Sequence, residues 1–187
     1  MNKEEDAHPL MPTLLAMRDA NNMTDEWDQP SELFLCNSRK DVSSIFQDLV
    51  SQFVVSPGIP LEIVSGGMGV TEAVTAMAGS IEDGIISPPP TPKGFEFRGL
   101  ILLSEGWALG ENAPQKDRDK AARGELQIPE HPARIEVKLW TLVVAEGTWI
   151  KPHYRGPGGG PDLFLSTTEG RVPEALRSLF IAITQKD

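Results

Sequence analysis

Apolar residues recur along this chain with two different periods, and the change from one to the other divides it. In the first part the spacing is helical. Leu10, Leu14, Leu15 and Met17 form one stripe, and Val42, Ile45, Phe46, Leu49, Val50 and Phe53 a second. Val70, Ala73, Val74, Met77 and Ile81 form a third. Offsets of three and four place each set on one face of a helix, so three amphipathic helices are predicted. Between them, "SELFLC" (31–36) reads as a strand, and "LEIV" (61–64) as a brief extended segment among prolines and glycines.

"ISPPPTPKG" (86–94) stops the helical pattern, because proline lacks the amide donor and fixes φ near the polyproline value. Beyond it the period becomes two. "FEFRGLILLSEGWAL" (95–109) predicts a strand, and its unbroken run Leu100–Leu103 predicts burial on both faces, hence a central position. "RIEVKLWTLVVAEGTWIKPHYR" (134–155) alternates through two strands of a hairpin. Gly147 is expected to supply a positive φ at the turn. A turn at Glu146–Gly147 would set Trp149 beside Val144 and His153 beside Trp140. Pro152 cannot donate to a ladder, which predicts an edge strand. The charged stretch 110–132 reads as a long loop with a short helix at 116–123. "LFLS" (163–166) predicts one more short strand. "VPEALRSLFIAI" (172–183) predicts a closing helix with Pro173 in its first turn and Leu176, Leu179, Phe180 and Ile183 inward.

The resulting fold class is α+β: a mostly antiparallel sheet of about four to six strands, helices packed on one face, and the C-terminal helix closing the core. Residues 1–9 are expected to be a mobile segment and 10–187 a single domain. Within that domain 10–86 is α-rich, 87–94 a proline-rich connector and 95–187 β-rich.

Composition changes this picture only by exclusion. With 17 Lys+Arg against 27 Asp+Glu the net charge is -10, which repels a phosphate backbone, and the basic residues between Lys116 and Arg123 are interrupted by acids. Non-specific nucleic-acid binding is therefore not expected. A single cysteine, Cys36, rules out an internal disulfide and the cysteine zinc patterns, and its apolar surroundings mark it as a buried hydrophobe. No apolar run is long enough for a membrane span, and the acidic start lacks a signal-peptide core, so the expected location is cytoplasmic.

Four stretches carry a resemblance: "EWDQPSELFL" (26–35), "FRGLILLSEGWAL" (97–109), "HPARIEVKLWTLV" (131–143) and "GRVPEALRSLF" (170–180). In this order they resemble a family of small actinobacterial and actinophage proteins of unassigned function. The resemblance touches about a quarter of the chain, through strand and cap patterns. It implies a cytoplasmic α+β domain, bacteriophage-encoded in some members, and transfers no active site.

Candidate chemistry is sparse. The three histidines, His8, His131 and His153, show no metal-ligand spacing, and a mixed site of His131, Glu136 and Glu105 would require adjacent strands. "SGGMGVTEA" (65–73) opens a helix with glycines but lacks the Lys-Ser/Thr of a phosphate loop. "SEG" at 104–106 is not a nucleophile elbow. No catalytic residue, metal or cofactor is assigned on these grounds. The tryptophans are more informative, because Trp140 shares a strand face with Glu136 and Lys138, and Trp149 shares one with Lys151, His153 and Arg155. Such sets suit a protein interface, or cross-strand packing with the charges reaching outward.

The sequence thus points to a non-enzymatic binding or regulatory protein. Its candidate binding residues are Trp140, Lys138, Glu136, His153, Arg155 and Trp149. The expected partner is a protein, of the host or of a phage, with no membrane contact, and the edge strand offers a route to a homo-oligomer. The alternative is a small hydrolase or nucleotide-binding enzyme using Glu105, Glu136, His131 and His153.

Overall fold

A computed structural model describes residues 16–17, 27–40, 53–61, 69–123, 125–156, 165–166 and 170–186. The strands are β1 (Glu32–Arg39), β2 (Phe53–Val55), β3 (Ile59–Pro60), β4 (Phe95–Leu109), β5 (Arg134–Val144), β6 (Gly147–Tyr154) and β7 (Leu165–Ser166). The helices are α1 (Val70–Glu82), α2 (Gln115–Ala122) and α3 (Arg171–Thr184). One antiparallel sheet runs β2-β1-β4-β5-β6-β7, with β3 also pairing β1. Four strands are long and the other three have two or three residues each. This is the α+β fold expected, with β4 central between β1 and β5.

The sheet has two differently built faces. Leu33, Leu35, Leu100, Leu102 and Val143 point to the side where α1 and α3 pack, and meet Val74, Ala78, Ile81, Leu176, Leu179 and Ile183. Each Leu, Ile or Val side chain removed from water here contributes about 1.5–3 kcal/mol, which makes this the main core. The opposite face begins with Cys36, Ile101, Leu103, Trp140, Leu142 and Val144, packed with Met17, Phe34, Val55 and Trp149. Leu100 to Leu102 are fully buried because the run feeds both clusters in turn.

A register shift between Cys36 and Asn37 adjusts this division. Cys36 pairs with Gly99 but Asn37 with Phe97, so Arg98 is the extra residue. Beyond the bulge, parity reverses. Phe97 turns to the helix side and lies 5.5 Å from the Phe180 ring, while Arg98 meets Ser38 and Glu96 on the other side. Gly99 is required by close approach, since a Cβ there would lie 2.6 Å from the Val143 carbonyl oxygen.

Several local expectations are corrected. Phe53 lies in β2, paired with Ser38, rather than on a helix, because its backbone completes the sheet beyond β1. The hairpin turns at Ala145–Glu146, with Val144 opposite Gly147, so Trp149 faces Leu142 and His153 faces Lys138. A shift of two residues keeps every side chain on its face. Gly147 does not take a positive φ. Its small size instead admits the Trp149 indole, whose nearest atom would lie 3.1 Å from an added Cβ.

β6 is next to last in the sheet, not its edge, because β7 pairs with it at Trp149 and Ile150. Pro152 lies beyond that pairing. Arg155 donates its N–H to the Glu136 carbonyl of β5, and alternation then turns the nitrogen of Pro152 away from β5, where no donor is needed. The first stripe of apolar residues is described only at Ala16 and Met17, both helical, and the stripe 42–50, His8 and the glycines at 66 and 67 lie outside the described residues.

Candidate functional site

The polar residues singled out on the hairpin all project from the face opposite α1 and α3, because they occupy alternate positions on paired strands. Register arranges them in rows. Ile101, Leu142 and Trp149 make an apolar row, and Leu103, Trp140 and Lys151 follow. Then come Glu105, Lys138 and His153, and finally Trp107 with Glu136, where Arg155 hydrogen-bonds to Glu136. Burial falls along this series: Trp140 is 1% exposed and Trp107 is 39% exposed.

Trp27, reached through the chain leading into β1, lies over the outer two rows. Its ring centroid is 4.9 Å from Lys138 Nζ and 5.2 Å from Arg155 Cζ. Its ring stacks on His153 at 6.0 Å with 24° between planes. Cations within about 6 Å of an indole are attracted to its negative face. The next residue, Asp28, has a φ of 64°, a left-handed conformation that Asp and Asn tolerate better than most. That bend brings the Asp28 N–H to Glu105 Oε2 at 2.8 Å.

Charges beneath Trp27 are matched in pairs. Lys138 Nζ stands 3.5 Å from Glu105 Oε1, with the lysine side chain 2% and the glutamate 20% exposed. Arg155 Nη1 donates to Glu136 Oε2 at 2.6 Å. Arg134 lies 4.8 Å from the Trp107 ring centroid. Two tryptophans at this end of the face are thus held by cations, and those over Trp27 are themselves held by carboxylates.

Between Trp27 and Trp107 is a notch of about 180 Å³, lined by these two rings and by Asp28, Glu105, Gly106 and Glu136. A wider groove of about 580 Å³ runs past Lys40, Lys93, Phe95 and Phe97 at the other end of β4.

Placement of the expected site residues is therefore uneven. Trp140 and Lys138 are buried, and Trp149 packs into the second apolar cluster. Glu136, His153 and Arg155 gather around Trp27 at the outer end. Glu105 and Glu136 line one notch, but His131 is not among its lining residues. It accepts the Ala133 N–H on Nδ1 at 3.1 Å and points Nε2 at Asp117 of α2, 3.6 Å away. Of the four groups of the enzymatic alternative, His131 thus turns toward α2 and His153 stacks on Trp27. Among the described residues no cluster of three His, Cys, Asp or Glu side chains could hold a metal ion.

Trp27, Asp28, Trp107 and Arg134 are the site residues that pattern reading left unassigned, though Trp27 and Asp28 lie within "EWDQPSELFL". A tryptophan between two acids just before a strand was the available signal. Trp140 Nε1 is buried without a hydrogen-bond partner among the described residues, a cost of roughly 1–3 kcal/mol that the surrounding packing must offset. Burial also pushes the Cys36 thiol up to about 12, which keeps it in the less nucleophilic thiol form.

No protein-family model, curated protein or solved structure matches the chain. No described helix is long and apolar enough to cross a membrane.

Proposed function

We propose that this is a non-enzymatic binding protein that meets a protein partner at the outer end of the hairpin face. The observation supporting this reading is Trp107, a large aromatic side chain 39% exposed on a central strand. Arg134 lies against its ring and the Arg155–Glu136 pair stands on the neighbouring strands. An exposed tryptophan with an arginine against its ring is a residue pattern enriched where interface energy concentrates. The buried residues Trp140 and Lys138 act in this reading as its support, and Trp107, Arg134, Glu136, His153 and Arg155 as its contact. If the chain is phage-encoded, as some members of the family it resembles are, the partner is a host or phage protein.

Enzymatic chemistry is less well supported, because Glu105 and Glu136 each have a cation within 3.5 Å. The test is affinity capture from the lysate of the encoding organism, comparing the native chain with Trp107→Ala. Far-ultraviolet circular dichroism and melting temperature establish that the variant folds. Loss of a specific captured protein, by tenfold or more for a hot-spot tryptophan, is expected. Equal capture by the two chains removes this end of the face from consideration.

A further inference from the structure

The notch between Trp27 and Trp107 has a composition that neither packing nor the partner surface as a whole explains. Six residues line it, and they comprise two indoles, three carboxylates, one glycine and no cation. Two of the carboxylates are matched from behind, Glu105 by Lys138 and Glu136 by Arg155. Asp28, exposed at the mouth, has no ion pair among the described residues. Asp28 is therefore the one lining carboxylate without a cation of its own, and Arg134, set against Trp107, lies outside the lining.

The walls are set before any ligand arrives. Trp27 is held by Lys138, Arg155 and His153, and the Asp28 backbone by Glu105. Trp107 is held by Arg134. Preformed aromatic walls with one carboxylate free of an ion pair are the recognition chemistry of an organic cation, whose charge is stabilised by ring quadrupoles and acid together. At about 180 Å³ the space admits one slender cationic end and no drug-sized molecule, for which pockets run to ~300–1,000 Å³.

We infer that this notch is a binding site for a single organic monocation on an aliphatic stem, presented as a lysine or arginine side chain of the partner. The inference rests on the partner reading above for the source of the cation, but the notch can be tested without any partner.

The test titrates the ¹⁵N-labelled full chain with N-acetyl-lysine-N′-methylamide, and separately with the arginine and the uncharged norleucine analogues. The four tryptophan indole N–H signals are followed. A millimolar Kd, roughly 1–10 mM for a single cation–aromatic site, is expected for one or both charged probes. Trp27 and Trp107 should shift saturably while Trp140 and Trp149 do not. The stronger of the two charged probes identifies the head group. Asp28→Asn keeps a residue suited to the left-handed φ and should weaken binding roughly three- to fivefold.

Saturable shifts by norleucine of the same size, no shift of Trp27 and Trp107, or unchanged affinity in Asp28→Asn would each overturn the inference. The two readings fail separately. A notch that takes the monocation while Trp107→Ala still captures its partner refutes the partner reading alone. Capture that depends on Trp107, with no monocation bound, refutes the notch alone.

Discussion

The same four long strands present two faces that are stabilised in opposite ways. On the helix side, Leu33, Leu100, Leu102 and Val143 meet the apolar stripes of α1 and α3, and the contact is mainly hydrocarbon, with one Arg177–Thr148 hydrogen bond beside it. On the other side, burial begins just as dry, around Ile101, Leu142 and Trp140, but continues outward into Lys138, Glu105 and a tryptophan laid over them. Helices can close a sheet with apolar stripes alone, because their own backbone groups are already satisfied. The second face is closed at its outer end by Trp27 and Asp28 instead, so charge pairs and an indole do what helices do across the sheet. A polar cover of this kind stabilises less and specifies position more.

Removing a core side chain on the helix face should have the largest effect. Leu176→Ala, at a fully buried position on α3, should cost about 3–5 kcal/mol in urea unfolding. A smaller loss than on the charged face would reverse the ranking of the two.

Breaking the charged face should come next. Lys138→Met strands Glu105 and removes a cation from Trp27, and should cost about 2–3 kcal/mol, below the usual ~3–5 for a fully buried pair. Glu105 is 20% exposed and retains some hydration. Adding Glu105→Gln should restore most of that loss, since no charge is then left unpaired. A double variant as unstable as the single one would mean that Lys138 acts through packing.

The smallest effect, about 1–2 kcal/mol when read at pH 10, separates the faces by pH. Cys36, under the second face, has its thiol pushed from 9.0 to about 12 by burial. The folded chain holds the thiol neutral while the unfolded chain releases the proton. Its contribution is therefore fully present below pH 9 and is lost as pH rises from there toward about 12. The slope should approach ~1.4 kcal/mol per pH unit. A Cys36→Ala chain should show that much less alkaline destabilisation, read as the difference between the two stability–pH curves.

Much of this was legible before any coordinates. A period of two through 95–109 and 134–154 identified the strands, and the run Leu100–Leu103 put β4 in the centre. Alternation also assigned Glu136, Lys138 and Trp140 to one face, and the two-residue error in the hairpin turn left that intact, since even shifts preserve parity. Pro152 was read correctly as a missing donor, but β6 is not the edge strand it suggested, since β7 pairs with β6 at Trp149 and Ile150.

What alternation cannot tell is depth. Lys138 and Glu136 look equivalent along β5, yet one is buried and the other reaches water, because Trp27 lies over the lysine. Contacts between residues so far apart in sequence leave no periodic trace, and the parity reversal beyond Gly99 depends on a bulge between two strands, not on either one. The sequence by itself determined which residues share a face, since that follows from local backbone geometry. Only the tertiary structure decided which of them are covered, how their charges pair, and where a notch remains, since each of those is set by what another part of the chain brings over them.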